Sequence, residues 1–321
     1  MVFLPSPLLP ALLALGVLFI NGWTDAPNAI STAVATGALS YGRAVLLAAG
    51  CNLLGCLLTS ACSGAVAATV SSLVDLGSDP IPARAALCAA LFSVILWGTL
   101  AWRFALPTSE SHALLAGLSG AAVALRGNFS CLMAEPWRKT FLGLALSLLS
   151  GWLLSRLLTA LLPKRGRYRT LQTAAACFMA FAHGAQDGQK FLGILLLSAG
   201  DFPTFSSLPP IALPLLCALT MALGTALGGR RLLAALGKDL TVLTPRSGFT
   251  ADLSGALCLL FSTLLGSPVS TTHTKAAAIL GAAPKGQTWN RTAAFRLLRV
   301  WLLTFPACAL LAFFLTRIML G

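Results

Sequence analysis

PTSESHALLAGLSGA at Pro107–Ala121 and PVSTTHTKAAAILGA at Pro268–Ala282 are two copies of one segment. They share Pro107/Pro268, Ser109/Ser270, His112/His273, Ala116/Ala277, Gly120/Gly281 and Ala121/Ala282, at an offset of 273 − 112 = 161. A second pair lies upstream of each copy: NGWTDAPNAIS at Asn21–Ser31 and HGAQDGQKFLG at His183–Gly193. These share Gly22/Gly184 and Asp25/Asp187, at an offset of 187 − 25 = 162. Two polar motifs in the same order, half of a 321-residue chain apart, mark an internal duplication with halves 1–162 and 163–321. Such a duplication is the organisation of two-repeat transporters.

The surroundings of the motifs are membrane-spanning sequence. The chain is 57% hydrophobic and 10% charged, with mean hydropathy +0.85, where soluble domains carry about 25% charged residues. Apolar stretches long enough to cross a hydrocarbon core of about 30 Å recur: Leu8–Ile20 running on to Leu39, Ala44–Leu73, Phe141–Leu162, Ile211–Leu227 and Val300–Leu320. The first is too long for a signal peptide and has no basic region before it, so it is expected to be a retained helix. A net charge of +13 does not point to nucleic acid. The basic residues lie between apolar segments without aromatic interleaving, as loop charges that set orientation do. The nine cysteines lie mostly within apolar segments, lack metal-ligand spacing, and are expected to pack as small hydrophobes.

The segments after the paired motifs are short. His112–Leu125 and His273–Ala283 have 14 and 11 residues, roughly 21 and 16 Å as helix, too short to span. Each is therefore expected to return from a hairpin whose Ser/Thr-rich tip lies inside the membrane. Three crossings per half remain, an odd number, so the halves are expected to be inverted. Loop charge agrees. One side receives thirteen basic residues, namely Arg43, Lys164, Arg165, Arg167, Arg169, Arg230, Arg231, Lys238, Arg246, Lys285, Arg291, Arg296 and Arg299. The other receives five, Arg84, Arg126, Arg138, Lys139 and Arg317, together with Asp75, Asp79, Glu135 and Asp201. The positive-inside rule then puts both termini outside. The expected fold is an all-α integral membrane protein of two inverted repeats, each with a broken first helix, further spanning helices and a re-entrant helical hairpin. The first arm of the first hairpin, Arg84–Leu106, is long enough to cross by itself.

Asp25 and Asp187 sit deep within apolar segments, where an unpaired carboxylate costs about 3 kcal/mol or more, which makes each a functional candidate. A helix–helix hydrogen bond explains one such residue better than two at equivalent positions. Around Asp25 stand Asn21, Thr24, Asn28, Ser31 and Thr32; around Asp187 stand Gln186 and Gln189. Pro27, Gly22, Gly184 and Gly188 are expected to weaken the helices there and free carbonyls. Asp25, Asn28, Thr24, Asp187 and Gln186 thus form an oxygen set suited to sodium, and a protonatable Asp serves proton coupling equally well. The tips carry Thr108, Ser109 and Ser111, and Ser270, Thr271 and Thr272, after helix-breaking Pro107 and Pro268. Hydroxyls at helix N-termini present donors and partial positive charge to an oxyanion, although Ser and Thr in membrane helices also satisfy backbone groups. Ser109, Ser111, Ser270, Thr271, Thr272, Gln189 and Lys190 are the expected anion ligands. Lys190 stands where the first repeat has Asn28, and three roles are open to it: pairing with Asp187, replacing a bound cation, or touching the anion. Lys275, opposite Leu114, is a weaker candidate for the same roles or a snorkelling side chain, His112 and His273 either carry protons or orient the tips, and Glu110 has no acidic counterpart.

GWTDAPNA at Gly22–Ala29, HGAQDGQK at His183–Lys190 and PVSTTH at Pro268–His273 resemble the inorganic phosphate transporter family, bacterial type. That family carries a duplicated Gly-Ala-Asn-Asp-type motif and paired Pro-x-Ser-x-x-His segments. Here Thr24 and Gln186 replace the Asn before each Asp, and Trp23 replaces a small residue. The resemblance implies secondary transport of phosphate with sodium or protons across the cell (inner) membrane, no enzymatic activity, no cofactor, and frequently a homodimer. A sulfate or other oxyanion permease is the alternative within the family. A channel fits less well, and an intramembrane aspartyl protease less well still, because Asp187 lies in GAQD rather than Gly-x-Gly-Asp and the hydroxyl tips would have no task.

Overall fold

Pro27 lacks a backbone N–H and is tolerated only in a first helical turn, so the first apolar run is interrupted just before it. The computed structural model, which describes residues 5–199, 208–237, 239–284 and 289–321, shows α1 (Leu8–Thr24) ending and α2 (Ala26–Ala35) beginning at Asp25. The chain continues through α3 (Tyr41–Cys62), a break at Ser63 and Gly64, and the short α4 (Ala65–Ser71). Then come α5 (Pro80–Arg103), α6 (Glu110–Arg126) and α7 (Ala134–Leu161). The second half runs α8 (Tyr168–Ala199), α9 (Ala212–Leu227), α10 (Leu233–Gly237), α11 (Pro245–Leu264), α12 (Thr271–Gly281) and α13 (Arg291–Leu320). Among the described residues there is no β-strand, only an isolated bridge between Val74 and Leu132.

Six helical stretches among the described residues are long and apolar enough to cross a membrane: α1 with α2, α3, α5, α7, α11 and α13. Helix α7 shows the environment directly. Thr140, Gly143, Ser147, Gly151 and Ser155 are buried, while Leu142, Leu146, Leu149, Leu153 and Leu157 face outward. Small and hydroxyl residues inward with leucines outward suits a lipid solvent, in which close packing of small residues drives helix association.

Packing pairs are exchanged between the halves. Helix α3 lies on α8 as α9 lies on α1, α6 lies on α13 as α12 lies on α7, and α4 lies on α8 as α10 lies on α2. The repeats are therefore interleaved. The shared glycines explain the closeness of these crossings. A Cβ on Gly22 would stand 2.3 Å from the Met221 carbonyl oxygen, and one on Gly184 would stand 2.2 Å from that of Asn52. The same holds for Gly120 against Ala309 (2.0 Å) and Gly281 against Trp152 (2.2 Å). This corrects one expectation. The first repeat breaks at its aspartate, but α8 runs unbroken through Asp187. Without a proline, Gly184 and Gly188 serve contact with α3 rather than unwinding.

Helices α5 and α6, and α11 and α12, form the two expected hairpins. At 24 residues α5 reaches about 36 Å, enough to cross. Its end nevertheless delivers the chain to Pro107, Thr108 and Ser109, all buried. The apolar run expected over Ala44–Leu73 is divided by the Ser63–Gly64 break.

Two segments that the charge division assigns to one side meet in the fold. The Arg246 guanidinium donates to the carbonyls of Thr159 and Leu162, both at 2.5 Å, and of Pro163 at 3.0 Å. Arg156, Lys164, Arg169 and Arg246 line one cavity there. Elsewhere Arg126 pairs with Asp75 at 3.2 Å and Arg138 with Glu135 at 2.8 Å. Lys238, Lys285 and Asp201 lie outside the described residues.

Candidate functional site

Each hairpin tip is built the same way. Ser109 caps α6 by accepting from the His112 backbone N–H at 3.2 Å, and Ser270 caps α12 by accepting from that of His273 at 3.3 Å. The two serine hydroxyls then meet each other, 2.8 Å apart. The His112 and His273 rings pack edge-on, centroids 4.4 Å apart, and His273 stacks on Trp301. Two helix N-termini thus converge on one buried point, adding their partial positive charges there. Trp97 and Thr304 hold the first tip through Thr108, and Trp301 donates to the Pro107 carbonyl at 3.2 Å.

Both aspartates face this point. Asp25 Oδ1 accepts from Thr272 Oγ1 and Asn28 Nδ2, each at 2.5 Å, and Oδ2 accepts from Thr271 Oγ1 at 2.9 Å. Asp187 Oδ1 accepts from Lys190 Nζ at 2.6 Å, and Oδ2 from Asn21 Nδ2 at 2.9 Å. Lys190 Nζ also donates to Ser111 Oγ at 2.6 Å and to the Val269 carbonyl at 2.5 Å. Of the three roles open to Lys190, pairing with Asp187 is the one seen. His183 Nε2 lies 3.5 Å from Asp187 Oδ2, and its Nδ1 lies 2.9 Å from Asn52 Oδ1. Ligand atoms of Asp25, His183 and Asp187 all lie within 4.8 Å of one another. A site with two carboxylates this close favours cations between them, since like charges in a low dielectric repel strongly.

The structure therefore brings together Asp25, Asn28, Asp187 and Lys190 with Ser109, Ser111, Ser270, Thr271 and Thr272. Thr24 joins them indirectly, donating to Glu110 Oε1 and to the Ile20 carbonyl. Gln186 faces other partners, while Gln189 is held through its oxygen and keeps its buried Nε2 free among the described residues. Gln186 bridges the Ser267 carbonyl (2.8 Å) and Thr263 Oγ1 (2.5 Å) at the end of α11. Gln189 accepts from the Val66 N–H of α4 at 3.1 Å.

Four participants were left out of the expected ligand sets. Asn21, named beside Asp25, donates to Asp187, Glu110 accepts from Thr24, and His183 faces Asp187. Asp252 on α11 pairs with Lys275 in a fully buried ion pair, with Thr32 donating to Asp252 Oδ1 at 2.5 Å. Lys275 is thus not a snorkelling side chain; it also reaches the Ala29 carbonyl at 3.2 Å, locking α12 to α2. The rule that flagged Asp25 applies equally to Asp252, a lone acid in an apolar run, but no repeat partner drew attention to it.

The model of the Phosphate transporter family matches residues 21–166 and again residues 163–312. A Bacillus subtilis (strain 168) protein named "Probable low-affinity inorganic phosphate transporter" is 31% identical, covering 93% of this chain and 92% of its own. One of the same name from Rhizobium meliloti (strain 1021) is 34% identical, covering 96% of each. A solved structure described as "The sodium-dependent phosphate transporter" shares the fold, with TM-score 0.85 over 98% of both chains at 20% identity.

Proposed function

Because the chain belongs to the phosphate transporter family, we propose that it is a symporter carrying inorganic phosphate with sodium or protons. The observation that carries this reading is the convergence of the two serine-capped N-termini of α6 and α12 on Asp25 and Asp187. Asp25, Asn28, Thr24 and Asp187 are the cation ligands of this proposal; Gln186, expected among them, is instead engaged by Ser267 and Thr263. Ser109, Ser111, Ser270, Thr271, Thr272, Gln189 and Lys190 are its phosphate ligands.

The hydrogen bonds at Asp25 support one order of events. Thr271 and Thr272 now donate to the Asp25 carboxylate. A cation arriving at Asp25 takes those acceptor oxygens and releases the hydroxyls, which turn to an anion at the tips. Phosphate is repelled by two carboxylates until that step occurs, so cation and anion move together. The sodium dependence named for the solved structure of the same fold makes sodium the first ion to test. Residues 1–162 and 163–321 act as inverted halves, with both termini outside the cell membrane and the Pro163–Arg169 loop in the cytoplasm. Two copies assemble as a homodimer, as the sequence resemblance implies.

Asp25→Asn tests the order directly. Purified protein is titrated with phosphate at several sodium concentrations and pH values. The variant is expected to bind with one fewer coupled cation than the parent. An unchanged dependence on both ions places the cations elsewhere.

A further inference from the structure

Four cations surround one cavity at the end of the fold where α7 stops and α8 begins. Arg156 on α7, Lys164 in the connecting loop, Arg169 on α8 and Arg246 on α11 line a space of about 1010 Å³, and no acidic residue lines it. Neither the aspartates nor the hairpin tips reach its wall, so it is separate from the site at Asp25 and Asp187. Orientation accounts for a basic loop between α7 and α8. It does not account for cations from three different helices gathered around one hollow.

Two of the four are fixed in place. Arg246 donates through Nη2 to the carbonyls of Thr159 and Leu162 and through Nε to that of Pro163. Arg156 donates through Nη1 to the Ala283 carbonyl at 3.0 Å. Arg246 thereby answers the negative carboxyl end of α7, while α8 and α11 both begin at the cavity and bring their positive ends to it. Lys164 and Arg169 are exposed and form no ion pair among the described residues. Like charges held around one hollow repel, and an anion placed among them removes the repulsion. The wall is also partly apolar, with Ala160, Leu162 and Pro284. On the same stretch of α7, Leu157 and Leu161 face outward. The basic hollow therefore adjoins the lipid-facing flank of the helix.

We propose that this cavity binds a phosphate-bearing anion, supplied by the headgroup of an anionic membrane phospholipid. Guanidinium groups pair their N–H donors with phosphate oxygens, and basic pockets between membrane helices take such headgroups. The apolar part of the wall suits the glycerol and the start of the acyl chains. Free inorganic phosphate shares the same chemistry and is the other source.

The test is native mass spectrometry of the purified chain in detergent, titrated separately with phosphatidylglycerol and with phosphatidylcholine of the same acyl chains. Radioactive inorganic phosphate bound at equilibrium is counted in parallel. Lys164→Gln combined with Arg169→Gln removes two exposed cations of the cavity. Arg138→Gln combined with Arg317→Gln removes the same charge from residues that do not line it. The parent is expected to retain one phosphatidylglycerol per chain in preference to phosphatidylcholine. That affinity should fall about fivefold for each cation removed from the cavity and stay at the parent's level in the Arg138 and Arg317 variant. A phosphate count one lower in the cavity variant than in the parent, without a lipid preference, upholds the site with the free ion as its occupant. Equal retention of the two lipids together with equal phosphate counts overturns the inference. So does an equal loss in both variants, which is the mark of net charge alone. Uptake does not enter these readouts, so a protein that moves no phosphate but passes them keeps this site and loses the transport reading instead.

Discussion

Lys190→Asn puts the first repeat's residue into the second, at the position given by 190 − 28 = 162. In the parent the ammonium donates to Asp187 Oδ1 at 2.6 Å, to Ser111 Oγ at 2.6 Å and to the Val269 carbonyl at 2.5 Å. On the proposed reading its charge stands in for a coupling cation beside Asp187. Removing one member of a buried ion pair costs about 3–5 kcal/mol when the other stays charged and unanswered. A sodium ion entering the vacated space offsets that cost, so the loss depends on sodium. The variant is expected to be less heat-stable than the parent without sodium and to recover as sodium rises. Phosphate affinity, measured by equilibrium binding, should rise with about one more power of sodium concentration. Each tenfold increase in sodium then tightens phosphate binding about tenfold more than in the parent, or about 1.4 kcal/mol. Sodium dependence identical to the parent's refutes the idea that Lys190 stands in for a cation.

Ser109→Ala, Ser270→Ala and Thr271→Ala should each raise the Km for phosphate uptake. A hydrogen bond to a charged group contributes about 1.5–3 kcal/mol, roughly ten- to a hundredfold in affinity; parent-like Km values in all three mean that the hydroxyls only cap and fasten the tips. Gly184→Ala places a Cβ 2.2 Å from the Asn52 carbonyl, and overpacking of this kind costs about 1–3 kcal/mol. Its thermal midpoint should fall, while Gly50→Ala, which meets nothing within 4 Å, should leave it unchanged; equal midpoints contradict the close α3–α8 crossing. A single cysteine in the Pro163–Arg169 loop, in a background without other cysteines, should react with an impermeant reagent only from the cytoplasm. Labelling of the N-terminus from that side overturns the orientation.

The duplication made most of this architecture legible. Shared residues such as Ser109/Ser270 and Gly120/Gly281 proved to be the two helix caps that meet and two close helix crossings. Short arms after a proline announced the hairpins, because helix rise limits how far 11 residues reach. What the sequence concealed is what symmetry does not repeat. Glu110 has a threonine as counterpart and Asp252 pairs with a lysine on a neighbouring helix, so neither stood out by comparison of the halves. The glycines beside Asp187 looked like helix breakers. Whether a glycine loosens a helix or admits a neighbour is decided by the partner helix, here α3, which local sequence does not name.

The central claim is tested most directly by radioactive phosphate uptake into proteoliposomes containing only this protein, with and without an inward sodium or proton gradient and with sulfate as competitor. The account predicts gradient-dependent accumulation of phosphate that excess sulfate leaves in place. Phosphate entry indifferent to both gradients, or accumulation abolished by sulfate, contradicts it.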